Sequence, residues 1–256
     1  MATTRTFLAA TAQQLAMVMP TGHVRVSIDP AATAITVQLS TPDDDGPSAD
    51  AVRRTRSWEG PTHLSIDVPA ANHGSLTING NTVHQSFGTI TGDITGITIV
   101  NGHVIIGGSI QGQRLASPIA ATVTLPPTAL GVALRSVSAG LTATGHLPAL
   151  AFESTSGDVR VQSVNVLSAK TISGDVGAER IGSDAEIRTT SGDVRIGVYE
   201  GRTAEIRTVS GDIRLTAGTR ATGTLTARTV SGDVDLHGTN RLDVRTRTVS
   251  GHLARR

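Results

Sequence analysis

Five aspartates hold equivalent places in the second half of this 256-residue chain: Asp158, Asp175, Asp193, Asp212 and Asp233 each follow Ser-Gly and precede Val or Ile. Carboxylates repeated at one position of a stacked structure would present the clustered oxygens that a Ca2+ ion takes. The spacing argues against that use. Consecutive Ser-Gly units lie 17, 18, 19, 21 and 19 residues apart, ending at the degraded copy Ser250-Gly251-His252-Leu253. Calcium-binding β-rolls repeat roughly every nine residues. General acid–base work needs two carboxyls in different environments, and five copies of one corner do not supply that. Ser and Asp beside a Gly instead bond nearby backbone N–H groups at tight turns. The row therefore reads as corner chemistry, with Gly as the residue free to take positive φ.

A basic row is the sharper feature. Three residues before each Ser stand Lys170, Arg188, Arg207, Arg228 and Arg247, with Arg135 and Glu153 at the same place upstream. Such a stripe could grip an anionic polymer. Like charges at strand spacing repel by roughly 0.8 kcal/mol per neighbouring pair in water. Glu186, Glu205 and the Asp row offset this, so a solvated, charge-balanced face is the plainer reading. With three Phe, one Trp and one Tyr, little is present to stack bases, and specific nucleic-acid binding is not expected. A third row, Thr171, Thr189, Thr208 and Thr248, could suit ice if it faced outward. Ile187 and Ile206, two residues earlier in their units, place these threonines inward instead.

No catalytic constellation emerges. The eight His share no repeat position and no metal-ligand spacing, and the chain has no Cys to serve as thiolate. The glycines between 102 and 112 lack the Lys-Ser/Thr and the helix of a phosphate loop. Any Ser-His-Asp order would have to be drawn from repeat residues. No cofactor and no metal site are expected, and the chain reads as non-enzymatic.

The elements that must position these rows are short strands. Arg-Thr-Thr or Arg-Thr-Val precedes the Ser at 188–190, 207–209, 228–230 and 247–249, and alternating residues such as Val194-Arg195-Ile196 follow the Asp. Each unit is strand, Gly-containing turn, strand, and is too short to bury its own apolar face. Stacking parallel copies about 4.8 Å apart places Ile187, Val194 and Ile196 over Ile206, Ile213 and Leu215. A thin core of that kind accounts for 38% hydrophobic residues with only 2% aromatics. The expected fold is all-β, a parallel β-helix with regular coils of about nineteen residues over 129–256, irregular coils over 71–128 and an N-terminal β-strand cap over 1–70.

Within the irregular coils, Asn79-Gly80, Thr91-Gly92-Asp93-Ile94 and Asn101-Gly102-His103-Val104 read as turns of the same kind, and Leu125-Pro126-Pro127 as the junction with the regular coils. In the cap, the alternating stretches 23–28, 34–39 and 63–68 read as antiparallel strands and 41–50 as a polar surface loop.

The Thr-x-Ser-Gly-Asp-Val units, as at 171–176, resemble the bacterial β-strand-repeat domain often labelled "putative adhesin", well over about 130–256 and loosely over the first half. That resemblance implies a parallel β-helix of unknown function, with no catalytic residues to carry over. The expected role is a non-catalytic structural or interaction module that binds a protein partner or itself. The alternative is a binder of, or an enzyme acting on, an anionic polysaccharide or other anionic polymer. The basic row is one candidate surface. The other is the edge of the last coil, where Leu253, Ala254, Arg255 and Arg256 follow the final turn and leave strand hydrogen bonds open for self-association. A net charge of +1 provides no general field for polyanions. No apolar run is long enough for a membrane span, and the first twenty residues make a poor signal peptide. A cytoplasmic location is the default expectation, with specialised export as the other route.

Overall fold

The computed structural model describes residues 2–71 and 117–256 throughout, together with the backbone of Ser75–Asn79, Thr82–Ser86, Ile97–Val100 and His103–Ile106. Among the described residues an 18-strand ladder winds into a β-solenoid of about seven turns, with one α-helix. The solenoid has two principal faces. On face A, Thr3–Ala9, Ile35–Thr41, Ala120–Leu125 and His23–Ile28 lead into 140–144, 159–161 and 176–178, then Val194–Tyr199, Ile213–Ala217, Val234–His237 and Leu253–Arg255. On face B, Arg56–Glu59, His63–Asp67, Gln14–Val18 and Gly131–Arg135 lead into 150–153, 166–170 and 184–188, then Thr203–Arg207, Gly223–Arg228 and Leu242–Arg247.

The interior follows the period-2 pattern. Ile187 lies in register with Ile206, Val194 with Ile213 and Ile196 with Leu215, all buried, as the repeat requires. One continuous apolar column therefore replaces a broad core, and each coil borrows its burial from its neighbours.

The N-terminal strands match the expected antiparallel direction only in part. Ile35–Thr41 is antiparallel to Thr3–Ala9 and to Ala120–Leu125. However, His23–Ile28 runs parallel to both Ala120–Leu125 and 140–144, while His63–Asp67 runs antiparallel to Arg56–Glu59 and parallel to Gln14–Val18. Alternation reports which side of a strand is buried and carries no information about strand polarity. Gln14–Val18 and His23–Ile28 thus form a coil of the solenoid itself, stacked under Gly131–Arg135 and 140–144.

The stretch read as a loop at 41–50 runs into the α-helix Pro47–Arg54. Pro47 pre-sets φ in its first turn, Asp50 lies in the first turn and Arg53 and Arg54 in the last, in accord with the helix dipole. Ala49, Ala51 and Val52 are buried. Eight residues with small apolar side chains leave too little periodicity to read.

Between 71 and 117, Ser75–Asn79 pairs antiparallel with Thr82–Ser86, and Ile97–Val100 with His103–Ile106. These two antiparallel pairs lie within the stretch expected as irregular coils. The turn residues assigned at Gly80, 91–94 and 101–102 lie outside the described residues. At the Pro126-Pro127 junction the chain turns with Ala129 N–H bonded to Pro126 O at 3.0 Å, then enters face B at Gly131.

Candidate interaction surface

Each regular coil passes from face B to face A through Thr-x-Ser-Gly-Asp or a variant of it (136–140, 154–158 and 248–252), and the stacked corners hold one another in register. The Asp175 N–H donates to Asp158 Oδ1 at 3.0 Å, Asp193 N–H to Asp175 Oδ1 at 2.9 Å, Asp212 N–H to Asp193 Oδ1 at 3.0 Å and Asp233 N–H to Asp212 Oδ1 at 2.9 Å. The ladder ends with the His252 N–H on Asp233 Oδ1 at 2.7 Å. Each carboxylate thus supplies an acceptor for the next coil where strand pairing is interrupted. Among the described residues no group of three or more His, Asp or Glu is placed to hold a metal ion.

Gly22 and Gly251 take the positive φ expected of the corner, but at the corners between them the glycine serves a different purpose. Gly174 and Gly192 do not have positive φ. A Cβ on Gly174 would lie 2.0 Å from Gly157 O, and one on Gly192 would lie 1.9 Å from Gly174 O. The requirement is close approach of successive backbones. The Thr row points inward as read: Thr171, Thr189 and Thr208 are buried and Thr248 is half-buried, and Thr229 is a further buried member. Thr189 Oγ1 accepts the Gly192 N–H at 3.0 Å, and Thr208 Oγ1 reaches Gly192 O at 3.4 Å. Those hydroxyls bond backbone across coils instead of presenting an outer face.

The basic row is brought together. Glu153, Lys170, Arg188, Arg207, Arg228 and Arg247 occupy one register position on face B. Arg135 pairs with Glu153 at 3.0 Å, Arg188 with Glu186 at 3.0 Å, and Arg207 with Glu205. Lys170, Arg228 and Arg247 make no ion pair among the described residues. Across the corner, Arg160, Arg195 and Arg214 pair with Asp158, Asp193 and Asp212 at 3.4, 2.8 and 2.9 Å.

Between these two charged rows lies a feature that the sequence reading passed over. The x of Thr-x-Ser (Ser-x-Ser at 136–138 and 154–156) is β-branched in all seven regular coils, and it faces solvent. Val137, Ile172, Val209, Val230 and Val249 are 46–70% exposed, and the exposed Thr155 and Thr190 complete the row. The signal was present as an unbroken run of Val, Ile and Thr at that position.

At the last coil, Leu253–Arg255 pairs parallel with Val234–His237 on one side, and Leu242–Arg247 with Gly223–Arg228. Neither has a second neighbour among the described residues. Leu253 is exposed, Ala254 is half-buried, Arg255 is tied to Thr239 Oγ1 at 2.9 Å and Arg256 N–H donates to Leu236 O at 2.9 Å.

The opposite corner carries a charged cluster. Glu200 accepts from Arg180 at 2.7 Å and from Arg220 at 2.6 Å, beside an open, polar depression of about 660 Å³. The hydrogen bond from Arg220 is the main cause of a lowered Glu200 pKa, with both Arg charges adding to it. Tyr199 is buried, its hydroxyl donating to Ser183 O at 3.1 Å, and burial together with Asp184 pushes its pKa up.

One corner escaped detection entirely. Met19-Pro20-Thr21-Gly22-His23-Val24 stands where Thr-x-Ser-Gly-Asp-Val stands in later coils. Met19 N–H donates to Arg135 O at 3.0 Å, as Thr171 N–H donates to Arg188 O at 2.9 Å. Val137 and Ser138 both donate to Pro20 O, as Thr190 and Ser191 both donate to Ile172 O. His23 replaces Asp, and its imidazole pKa is lowered by burial first and then by the Arg25 and Arg160 charges. Only Gly22 and Val24 keep the motif's residues.

A family model described as Toastrack DUF4097 matches residues 62–254. A comparison with curated proteins gives no match. The solved structure of a "putative adhesin" from Bacteroides fragilis NCTC 9343 aligns at a TM-score of 0.57 and 14% identity, covering 100% of this chain and 97% of that one. A second, from Parabacteroides distasonis ATCC 8503, aligns at a TM-score of 0.54 and 11% identity, with 100% and 97% coverage. At such identities the likeness is one of fold. No helix among the described residues is long and apolar enough to cross a membrane.

Proposed function

This chain belongs to the Toastrack DUF4097 family, and from that membership and the corner geometry we propose that it is a non-catalytic interaction module, a stiff solenoid that binds a protein partner or another copy of itself. One observation carries the reading: the outward residues of every coil repeat in register, so that charge and apolar surface run as continuous rows along the stack. A ruled surface of this kind suits an extended protein contact, in which affinity comes from many equivalent positions. Enzyme sites depend instead on a concave pocket with convergent, unlike groups.

A second reading has one observation in its favour. Lys170, Arg228 and Arg247 have no carboxylate partner among the described residues, so the basic row could bind an anionic polymer such as an acidic polysaccharide.

Size-exclusion chromatography with light scattering, over a hundredfold concentration range and at low and high salt, tests the first reading alongside pull-downs from source cells. Wild type is compared with Arg188→Glu, Arg207→Glu and with Val209→Asp. Assembly, or a retained protein, that depends on these rows supports the module. Wild type and variants that are equally monomeric and retain the same background would overturn it. Salt-dependent retention on an acidic polysaccharide matrix, lost on Arg228→Glu and Arg247→Glu, would transfer the function to the second reading.

A further inference from the structure

We infer that the β-branched row is the contact surface for a second copy of this chain, with the two solenoids side by side and their axes parallel. This rests on the interaction-module reading and specifies both the partner and its orientation.

The row is an exposed strip of five apolar residues and two threonines, one residue per coil over seven coils, that nothing among the described residues covers. A cationic row on face B flanks it on one side and the aspartates flank it on the other. Most of these charges are satisfied within the protomer: Arg188 and Arg207 by Glu186 and Glu205, Asp193 and Asp212 by Arg195 and Arg214. Three corners leave the cation unpaired: at the last, Arg247 stands opposite His252, and at the other two the exception affects both rows at once. Lys170 and Asp175 bound one of these corners, Arg228 and Asp233 the other, and none of the four forms an ion pair among the described residues.

The cause lies in the neighbouring register positions. Ser168 and Thr226 stand where Glu186 and Glu205 stand in other coils. Gly177 and Asp235 stand where Arg195 and Arg214 stand. Each of these two corners therefore presents an unspent cation and an unspent anion on opposite sides of the same apolar residue, Ile172 or Val230.

Symmetry then selects the orientation. A twofold axis parallel to the stack lays row on row and exchanges the two sides, so Lys170 meets Asp175 of the second copy at the same height, and Arg228 meets its Asp233. A twofold axis perpendicular to the stack would set cations against cations. Complementary potentials decide register and exclude the wrong pairing.

The chain has no Cys, so single cysteines report the contact directly. Under mild oxidation Ile172→Cys and Val230→Cys should each form a covalent dimer with itself, while Thr219→Cys on the opposite corner should not. The dimer dissociation constant, read by light scattering, should rise on the order of tenfold for Lys170→Glu and return in Lys170→Glu, Asp175→Lys. Cross-linking of Thr190→Cys alone, the mid-row position, would indicate an antiparallel pair and overturn the proposal. A monomer at every concentration would overturn it too. If Val209→Asp then still abolished capture of a different protein, the module reading would survive; if no row-dependent binding remained, both would fall.

Discussion

The carboxylate Oδ1 of Asp193 accepts the backbone N–H of Asp212, one coil later, at 3.0 Å, while its Oδ2 holds Arg195 at 2.8 Å. One side chain thus joins two coils and anchors the charge that flanks the corner.

Replacing Asp193 separates the two duties. Asp193→Ala leaves the Asp212 N–H without its acceptor and Arg195 without a counter-ion, and should cost about 1–2 kcal/mol. Asp193→Asn keeps an oxygen for the N–H and should cost less than about 1 kcal/mol. Chemical denaturation of both variants measures the difference. Equal losses would show that the ion pair, and not the acceptor, carries the stabilisation.

Two glycine substitutions should behave in opposite ways. Gly192→Ala would place a Cβ 1.9 Å from Gly174 O, within the stacked backbone, where no flexible side chain can yield. We expect a loss above about 3 kcal/mol, or failure to fold. At Gly177 the nearest atom to a new Cβ is 3.7 Å away and φ is ordinary. Gly177→Ala should be neutral or about 0.5 kcal/mol more stable, through reduced freedom of the unfolded chain. Thermal melting of the pair distinguishes close approach from mere turn flexibility.

These two glycines show where the sequence was legible. The regular coils could be read because every coil meets the same packing problem, so Ile187, Val194 and Ile196 recur as Ile206, Ile213 and Leu215. The basic row was equally legible, since it shares the period. Strand direction at His23–Ile28 was not, because a half-buried strand has the same alternation whichever way its neighbour runs; His63–Asp67 has one neighbour of each direction. The corner at Met19–His23 was hidden because backbone bonds alone sustain it, with Pro20 O doing the work of Ile172 O. The charged trio Arg180, Glu200 and Arg220 lies outside the repeat motif and had no periodic signal.

Tyr199 is the chain's one tyrosine, which makes its state directly observable. Burial raises its pKa, with the Asp184 charge adding to the effect. Its contribution to stability is present below the ordinary value near 10 and is lost as pH rises through the higher folded value. Absorbance titration should therefore show no phenolate until the protein unfolds, and phenolate and unfolding should appear together. Tyr199→Phe should remove the bond to Ser183 O at a cost of about 1 kcal/mol. A phenolate signal in the folded protein near pH 10 would contradict the buried placement.

Glu200 governs the acid limb of stability. Its carboxyl is held below the usual value of 4.5, first by the hydrogen bond from Arg220 and then by the charges of both arginines. A lowered folded pKa means that the unfolded chain takes up the proton first as pH falls. The stabilising contribution is therefore complete above about 4.5 and is lost as pH drops through the lower folded value. Glu200→Gln removes that dependence and also leaves Arg180 and Arg220 without the anion between them. The variant should be less stable than wild type at pH 7, and the two melting curves should converge as the pH is lowered towards 3. Added salt should narrow the gap at pH 7, because the arginines are largely exposed. Wild-type and variant melting temperatures that stay parallel from pH 7 to pH 3 would show that solvent already screens the cluster.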